Sequence, residues 1–208
     1  MWYNPDQYHR RSIRLKGYDY GASGLYFITL CCHQRQNLFG DIVDGEMTLN
    51  DQGKTVADEW MKTPHIRPTF ELDAWVIMPN HIHGIIHISG VEKLHSGERA
   101  HRRAPLRCQS AAAKNNGIAD RRPRSLSSFV AGFKSATTKA INMTRKAPGT
   151  PVWQRNYYDH IIRDAASLQR IRQYIQNNPA TWPSDQLNPA QLNPAQLNPA
   201  QSAPSQLG

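Results

Sequence analysis

The sequence predicts an α+β domain built on a mostly antiparallel sheet. Two observations carry that prediction. Residues 71–78 and 81–89 are both rich in β-branched and aromatic side chains and are divided only by Pro79-Asn80, the signature of a hairpin. Around that hairpin, strand-like runs alternate with long connections of helical apolar period.

Taken in order, residues 1–20 form a polar, basic arm, and residues 21–180 are expected to hold the folded domain. Residues 25–33, LYFITLCCH, follow the breakers Gly21 and Gly24 and read as a buried strand. Asn50 can cap a helix running to about Met61, with Val56, Trp60 and Met61 on one side. The hairpin comes next. Residues 90–124 have no apolar period and contain HRRAPLR, three consecutive alanines, Asn115-Asn116-Gly117 and RRPR, so a mobile basic insertion is expected there. From Ser125 the period turns helical. Leu126, Phe129, Val130, Phe133, Thr137, Ala140 and Ile141 share a stripe, with Lys134 and Lys139 off it. Residues 152–163 are aromatic and β-branched enough for a last strand. Asp164 or Ser167 then caps a helix whose core face is Leu168, Ile171 and Ile175, and Pro179 ends it. Beyond, Gln-Leu-Asn-Pro-Ala repeats three times from Gln186, a period that matches no solenoid unit. Residues 181–208 therefore read as a disordered tail without chemistry, and a chain ending near Ser184 is expected to fold and act as the full chain does.

A chain of 208 residues has room for one good core. Its net charge of +9 points to a polyanionic partner. The excess is concentrated, since residues 91–124 and 125–178 carry +6 each while residues 17–90 carry −5. Apolar stretches such as residues 25–32 fall far short of the ~20 residues a membrane helix needs. The first twenty residues hold four basic residues and no apolar block, unlike a secretory signal. Cys31, Cys32 and Cys108 make neither a disulfide framework nor a CxxC pair. A reducing, cytoplasmic compartment without membrane contact is the expectation.

Two constellations could carry chemistry. In HIHGIIH, residues of odd number share a strand face, so His81 and His83 project together about 6–7 Å apart at ~3.3 Å rise per residue. That spacing suits a shared metal ion, and equally a half-exposed strand with hydrogen-bonded histidines; His87 sits deeper, where packing is the better reading. In QYIQNNP, Arg170, Tyr174 and Asn178 stand at i, i+4 and i+8 of a helix, beside the apolar stripe. A guanidinium, a phenol and an amide in one column could bind, attack and coordinate around a phosphodiester, or simply form a surface face. Tyr157 and Tyr158 are rival phenols in an aromatic strand.

Six blocks carry a resemblance: HRRSIRLKGYDY, YFITLCCHQRQNLFG, AWVIMPNHIHGIIHI, FVAGFKSATTKAIN, VWQRNYYDHIIRD and RIRQYIQNNP. In this order they resemble the HUH single-tyrosine transposases of the insertion-sequence 200 type, most of all the REP-associated tyrosine transposases. The resemblance spans roughly residues 9–180; the insertion and the tail have no counterpart.

What the resemblance implies is a ferredoxin-like sandwich with a central antiparallel sheet, the HUH endonuclease fold, that cuts and rejoins single-stranded or hairpin DNA. Tyr174 matches the nucleophile, which forms a 5′-phosphotyrosine. His81, His83 and Asn178 match the ligands of a divalent ion, magnesium or manganese; the insertion-sequence branch commonly has Gln where Asn178 stands. No nucleotide cofactor is required, because the phosphotyrosine stores the phosphodiester energy. Relatives include dimers with shared sites and monomers, so a homodimer is admitted. DNA contacts are expected from Arg10, Arg11, Arg14 and Lys16 in the arm, from Lys134 and Lys139, from Arg155 and Arg163, and from Arg170, with the steep salt dependence of phosphate binding. Two other classes compete. A non-catalytic DNA- or RNA-binding module of the same fold would carry an RNP-type aromatic motif, of which Tyr26-Phe27 is not a convincing example. A zinc protein using His81, His83 and Cys31 or Cys32 lacks a structural zinc spacing.

Overall fold

The computed structural model describes residues 18–89 and 124–191. Arg10, Arg11, Arg14 and Lys16, nearly all of the basic insertion with Cys108, and the tail from residue 192 lie outside the described residues. Strand β1 (Gly24–Cys31) is followed by a small hairpin of β2 (Gly40–Val43) and β3 (Glu46–Leu49), then helices α1 (Asp51–Met61) and α2 (Thr63–Ile66). The hairpin β4 (Phe70–Met78) and β5 (His81–Ile88), helix α3 (Leu126–Thr144), strand β6 (Tyr158–Ile162) and helix α4 (Ala165–Thr181) complete the order. The main sheet runs β4-β5-β1-β6, with every neighbouring pair antiparallel. Leaving aside β2–β3 and α2, the chain is β-α-β-β-α-β followed by α4, the ferredoxin-like arrangement that the resemblance implies with one further helix.

Period-2 alternation divides the sheet's faces. Tyr26, Ile28 and Leu30 of β1 and Ile82, Ile86 and Ile88 of β5 join Val56 and Trp60 of α1 and Phe129, Val130 and Phe133 of α3 in the main core. Phe27, Ile85 and Ile162 point the other way and meet Ile175, Leu168 and Ile171 of α4. Covering on both faces is why β1 is an unbroken apolar run. Gly84 belongs to the first face, where a Cβ would collide with the Trp60 ring, so only glycine lets α1 lie this close to β5.

Helix starts follow the predicted chemistry. Asn50 Oδ1 accepts from the backbone N–H groups of Gln52 and Gly53, Ser125 Oγ from Ser128, and Asp164, rather than Ser167, caps α4 by accepting from the Ser167 N–H. Four features differ from the sequence reading. The β2–β3 hairpin was not anticipated; its strands are only four residues long, yet Asp44-Gly45 has φ of 51° and 79°, the Asp-Gly tight turn. Of residues 152–163 only β6 is strand: Trp153 makes one bridge to Cys32, and the carbonyls of Gln154 and Asn156 turn to Lys134 instead of to β1. Pro179 does not end α4. It sits in the last turn, where little helix remains to lose, and Thr181 Oγ1 bonds the carbonyls of Asn177 and Asn178.

The fourth difference concerns the expected tail, whose first residues are ordered. Trp182 and Asn188 are buried, Asn188 Nδ2 donates to Trp182 O, Asn80 Nδ2 donates to Leu187 O, and Arg35 donates to Gln186 O. Low hydrophobicity was a poor guide because polar bonds to the β4–β5 turn hold this segment. A chain ending at Ser184 is thus expected to lose roughly 1–3 kcal/mol, the cost of stripping a partner from buried polar groups. One ending at Gln191 is expected to unfold in urea at the midpoint of the full chain. Equal midpoints for both truncations would show that residues 185–191 do not hold the fold.

Candidate active site

His81 and His83 lie on the α4 face of β5, opposite Cys31 and Thr29 of β1. They are 0 % and 2 % exposed, and their Nε2 atoms are 3.0 Å apart. Burial holds both imidazoles well below the ordinary histidine range, His83 down to about 3, so both are neutral at physiological pH. Hydrogen bonds around the pair assign protons. Asn80 Nδ2 donates to the carbonyls of Arg35 and Leu187, which turns its Oδ1 toward His81 Nδ1 at 2.7 Å. His81 must therefore carry its proton on Nδ1 and present a lone pair at Nε2. His83 Nδ1 is 2.8 Å from Thr29 Oγ1, a hydroxyl that can accept from or donate to the ring, so His83 can also present a lone pair at Nε2. These are the partners that orient metal-ligating histidines.

Helix α4 brings two further groups. Ile175 is buried in the second core, which fixes the rotation of the helix and turns Tyr174 to His83, with Asn178 one helical turn further on. Tyr174 Oη is 3.2 Å from His83 Nε2, while the side chain as a whole is 46 % exposed. Burial of the phenol, with the nearby Asp185 charge, raises its pKa above the ordinary 10; Asn178 is close enough to pull the other way, though it makes no hydrogen bond of normal geometry to it. Asn178 is 1 % exposed, and neither its Oδ1 nor its Nδ2 has a hydrogen-bond partner among the described residues. An orphaned buried amide is rare and calls for an explanation such as an ion.

Sequence reasoning missed the fifth member. Asp185, placed in the expected tail, has a carboxylate that lies with the ligand nitrogens of His81 and His83 within 4.8 Å. Its oxygen also accepts from the Leu187 N–H at 2.7 Å. The one sequence signal was an acid soon after the tyrosine helix, and nothing in a polar, proline-rich stretch distinguishes it. The zinc alternative finds no support: among the described residues the metal-competent group contains neither Cys31 nor Cys32, and burial pushes both thiols up.

The residues present fit a divalent cation. Two neutral nitrogens 3.0 Å apart stand at the spacing of adjacent corners around an ion with ~2.1 Å bonds, and the Asp185 carboxylate adds an oxygen donor. All five groups come from one chain. Of the basic residues expected to contact DNA, Lys139, Arg155, Arg163 and Arg170 are exposed. Lys134 is not a free surface charge: its Nζ donates to Gln154 O at 2.7 Å and Asn156 O at 2.9 Å, and burial lowers its pKa to about 8. Arg172, which the sequence did not single out, grips Asp73 of β4 with two hydrogen bonds of 2.9 and 2.6 Å and holds that carboxyl below its usual range.

No family model matches the sequence. A Haemophilus influenzae protein described as uncharacterised is 42% identical over 185 residues, covering 89% of this chain and 96% of its own. The structure of a REP-associated tyrosine transposase bound to a REP hairpin superposes with a TM-score of 0.52 at 20% identity, over 82% of this chain and 74% of that one. At that identity the likeness establishes a shared fold. Among the described residues no helix is long and apolar enough to cross a membrane.

The site predicts its own metal dependence. In calorimetric titration with manganese, His81→Ala, His83→Ala and Asp185→Asn are each expected to weaken binding at least about tenfold. Asn80→Ala, which removes the acceptor that fixes the His81 proton, is expected to cost ~10–100-fold. Wild-type affinity in His81→Ala and His83→Ala would mean that the ion is held elsewhere.

Proposed function

We propose that this chain, which belongs to the same family as the Haemophilus influenzae protein, is a metal-dependent endonuclease and strand transferase of single-stranded, hairpin-forming DNA, an HUH-type tyrosine transposase. The observation that carries the reading is a phenol oxygen 3.2 Å from one member of a buried, neutral histidine pair, with an orphaned amide one helical turn further on. The shared fold with a REP-associated tyrosine transposase, seen there bound to a REP hairpin, supports it.

In this reading Tyr174 Oη attacks the scissile phosphorus, an O–P bond forms, and the bond from phosphorus to the 3′-oxygen breaks. The phenol gives up its proton, and the departing 3′-oxygen takes one up to become a free hydroxyl. The 5′-phosphate remains on Tyr174 as a phosphodiester, so a later attack by a 3′-hydroxyl rejoins DNA without a nucleotide cofactor. His81, His83, Asn178 and Asp185 would hold the divalent ion, magnesium or manganese, which supplies positive charge to the non-bridging oxygens. Imidazole donors favour manganese over magnesium. Because burial and Asp185 both disfavour the phenolate, Tyr174 depends on its neighbours for activation. Lys139, Arg155, Arg163 and Arg170, with Arg10, Arg11, Arg14 and Lys16 of the arm, are proposed to contact phosphates. Lys134 instead shapes the loop between Trp153 and β6.

Incubation with hairpin oligonucleotides bearing single-stranded flanks and manganese is expected to yield a covalent adduct on a denaturing gel, mapped by mass spectrometry to the Tyr174 peptide. Tyr174→Phe keeps the ring and its packing but removes the attacking oxygen, so the adduct is expected to vanish while DNA affinity changes less than about threefold. An adduct that survives in Tyr174→Phe would assign another nucleophile. If wild type binds DNA but forms no adduct with any hairpin or metal, the non-catalytic binding module is the correct reading.

Binding itself is expected to weaken by orders of magnitude between ~50 and ~200 mM salt if six or more phosphates are engaged. A flat salt response, or equal affinity for blunt duplex, would count against single-strand recognition.

A further inference from the structure

On the α4 side of the sheet a cavity of about 450 Å³ opens onto the candidate site, with His83, Thr29 and Tyr174 in its lining, and extends beyond them along side chains that the proposed chemistry does not use. The rest of its lining includes Phe27, Tyr157 and Tyr158 together with Gln154 and Asn156. Phe27 is the hub of the aromatic wall. Its ring centroid is 6.2 Å from that of Tyr158 at 68°, and 6.2 Å from that of Tyr174 at 81°, so the three rings stand as separate walls rather than a closed stack. Tyr158 is 46 % exposed, unusual for a large aromatic on a paired strand.

The chemistry of the lining selects the occupant. His83 of the candidate metal site is in the lining, but no lysine, arginine, aspartate or glutamate is, so away from His83 the walls carry no charge to hold a phosphate. Aromatic rings offer stacking surfaces that every nucleobase can use. Primary amides both donate and accept, matching the mixed polar edge of a base. Neither the Gln154 nor the Asn156 side-chain amide is hydrogen-bonded to another described residue, because it is their backbone carbonyls that Lys134 holds. The volume falls in the ~300–1,000 Å³ range of small-ligand sites. Next door is a groove of about 480 Å³ that shares Gln154 and whose lining includes Lys139 and Arg155. A neutral chamber that opens beside a cationic groove fits a nucleotide whose base points inward and whose backbone runs outside.

We propose that this cavity is a subsite for one unpaired nucleobase adjoining the phosphodiester that Tyr174 attacks, with the strand's phosphates led away along Lys139 and Arg155. The subsite rests on the reading of the chain as a single-strand DNA enzyme, and deepens it by giving the strand a fixed register at the nucleophile. Because Tyr174 itself forms part of the wall, seating the base sets where along the strand the phenol meets phosphorus.

The test uses the full chain and two fluorescein-labelled probes of equal charge, a twelve-residue oligodeoxyadenylate and a twelve-residue abasic oligomer, with fluorescence anisotropy at one salt concentration. Wild type is expected to bind the base-bearing probe more tightly. Tyr158→Ala should weaken binding of that probe by roughly 5- to 100-fold, the effect of losing one stacking platform, and leave the abasic probe unchanged. Tyr158→Phe, which keeps the ring, should bind both probes as wild type does. The subsite is overturned if wild type binds the two probes equally, if Tyr158→Ala binds the base-bearing probe as wild type does, or if it loses affinity for both probes alike. Salt-sensitive binding of both probes in those cases would leave the DNA reading standing; failure of wild type to bind either would remove both.

Discussion

The register between β1 and β5 is the constraint on which the site depends. Cys31 pairs with His81 and Thr29 with His83. A slip of one residue would turn both imidazoles into the core against α1 and α3, and bring Ile82 to the α4 face. Large side chains oppose that slip. Gly84 leaves room for Trp60 only while it faces α1, and a slipped β5 would drive a larger side chain into that ring. The main core thus acts at a distance on the chemistry: the packing of Trp60 on one side of the sheet fixes which residues reach Tyr174 on the other.

Helix α4 is held by two kinds of force, and their magnitudes differ. The Arg172–Asp73 pair has fork geometry, but both side chains are partly exposed, where such pairs contribute ~0–1 kcal/mol. Ile175, Leu168 and Ile171 pack on Phe27, Ile85 and Ile162, and each buried aliphatic side chain contributes ~1.5–3 kcal/mol. Apolar burial therefore docks the helix. The ion pair, anchored where the register of β4 shifts between Leu72 and Trp75, restricts how the docked helix can slide.

Much of this could be read from the sequence because period and spacing are local. The parity of His81 and His83, the i, i+4 relation of Tyr174 to Asn178, and the capping residues Asn50 and Asp164 each follow from a few neighbouring positions. What escaped depends on contacts distant in sequence. Asp185 lies in a segment tied back beside the histidines by contacts distant in sequence, among them the bond from Asn80, a residue legible merely as a turn former, to the Leu187 carbonyl. Lys134 stands off the apolar stripe of α3 as a solvated lysine would, yet carbonyls twenty and twenty-two residues away capture it. The cavity is likewise illegible, since its walls come from β1, β5, β6 with the loop before it, and α4.

The charge balance of the cluster explains the choice of residue types. At physiological pH the imidazoles are neutral because burial makes an imidazolium costly, and Asn178 carries no charge. Asp185 is then the one formal charge in the group, and it acts on the phenol in the wrong direction for nucleophilic attack. A donor set of two neutral nitrogens and one carboxylate suits a divalent cation, whose charge would outweigh that of Asp185 and favour the phenolate at Tyr174. A lysine or arginine in place of Asn178 would also favour the phenolate, but it would compete with the cation for the same lone pairs. The neutral amide avoids that competition, in keeping with a buried side chain whose polar atoms have no partner among the described residues.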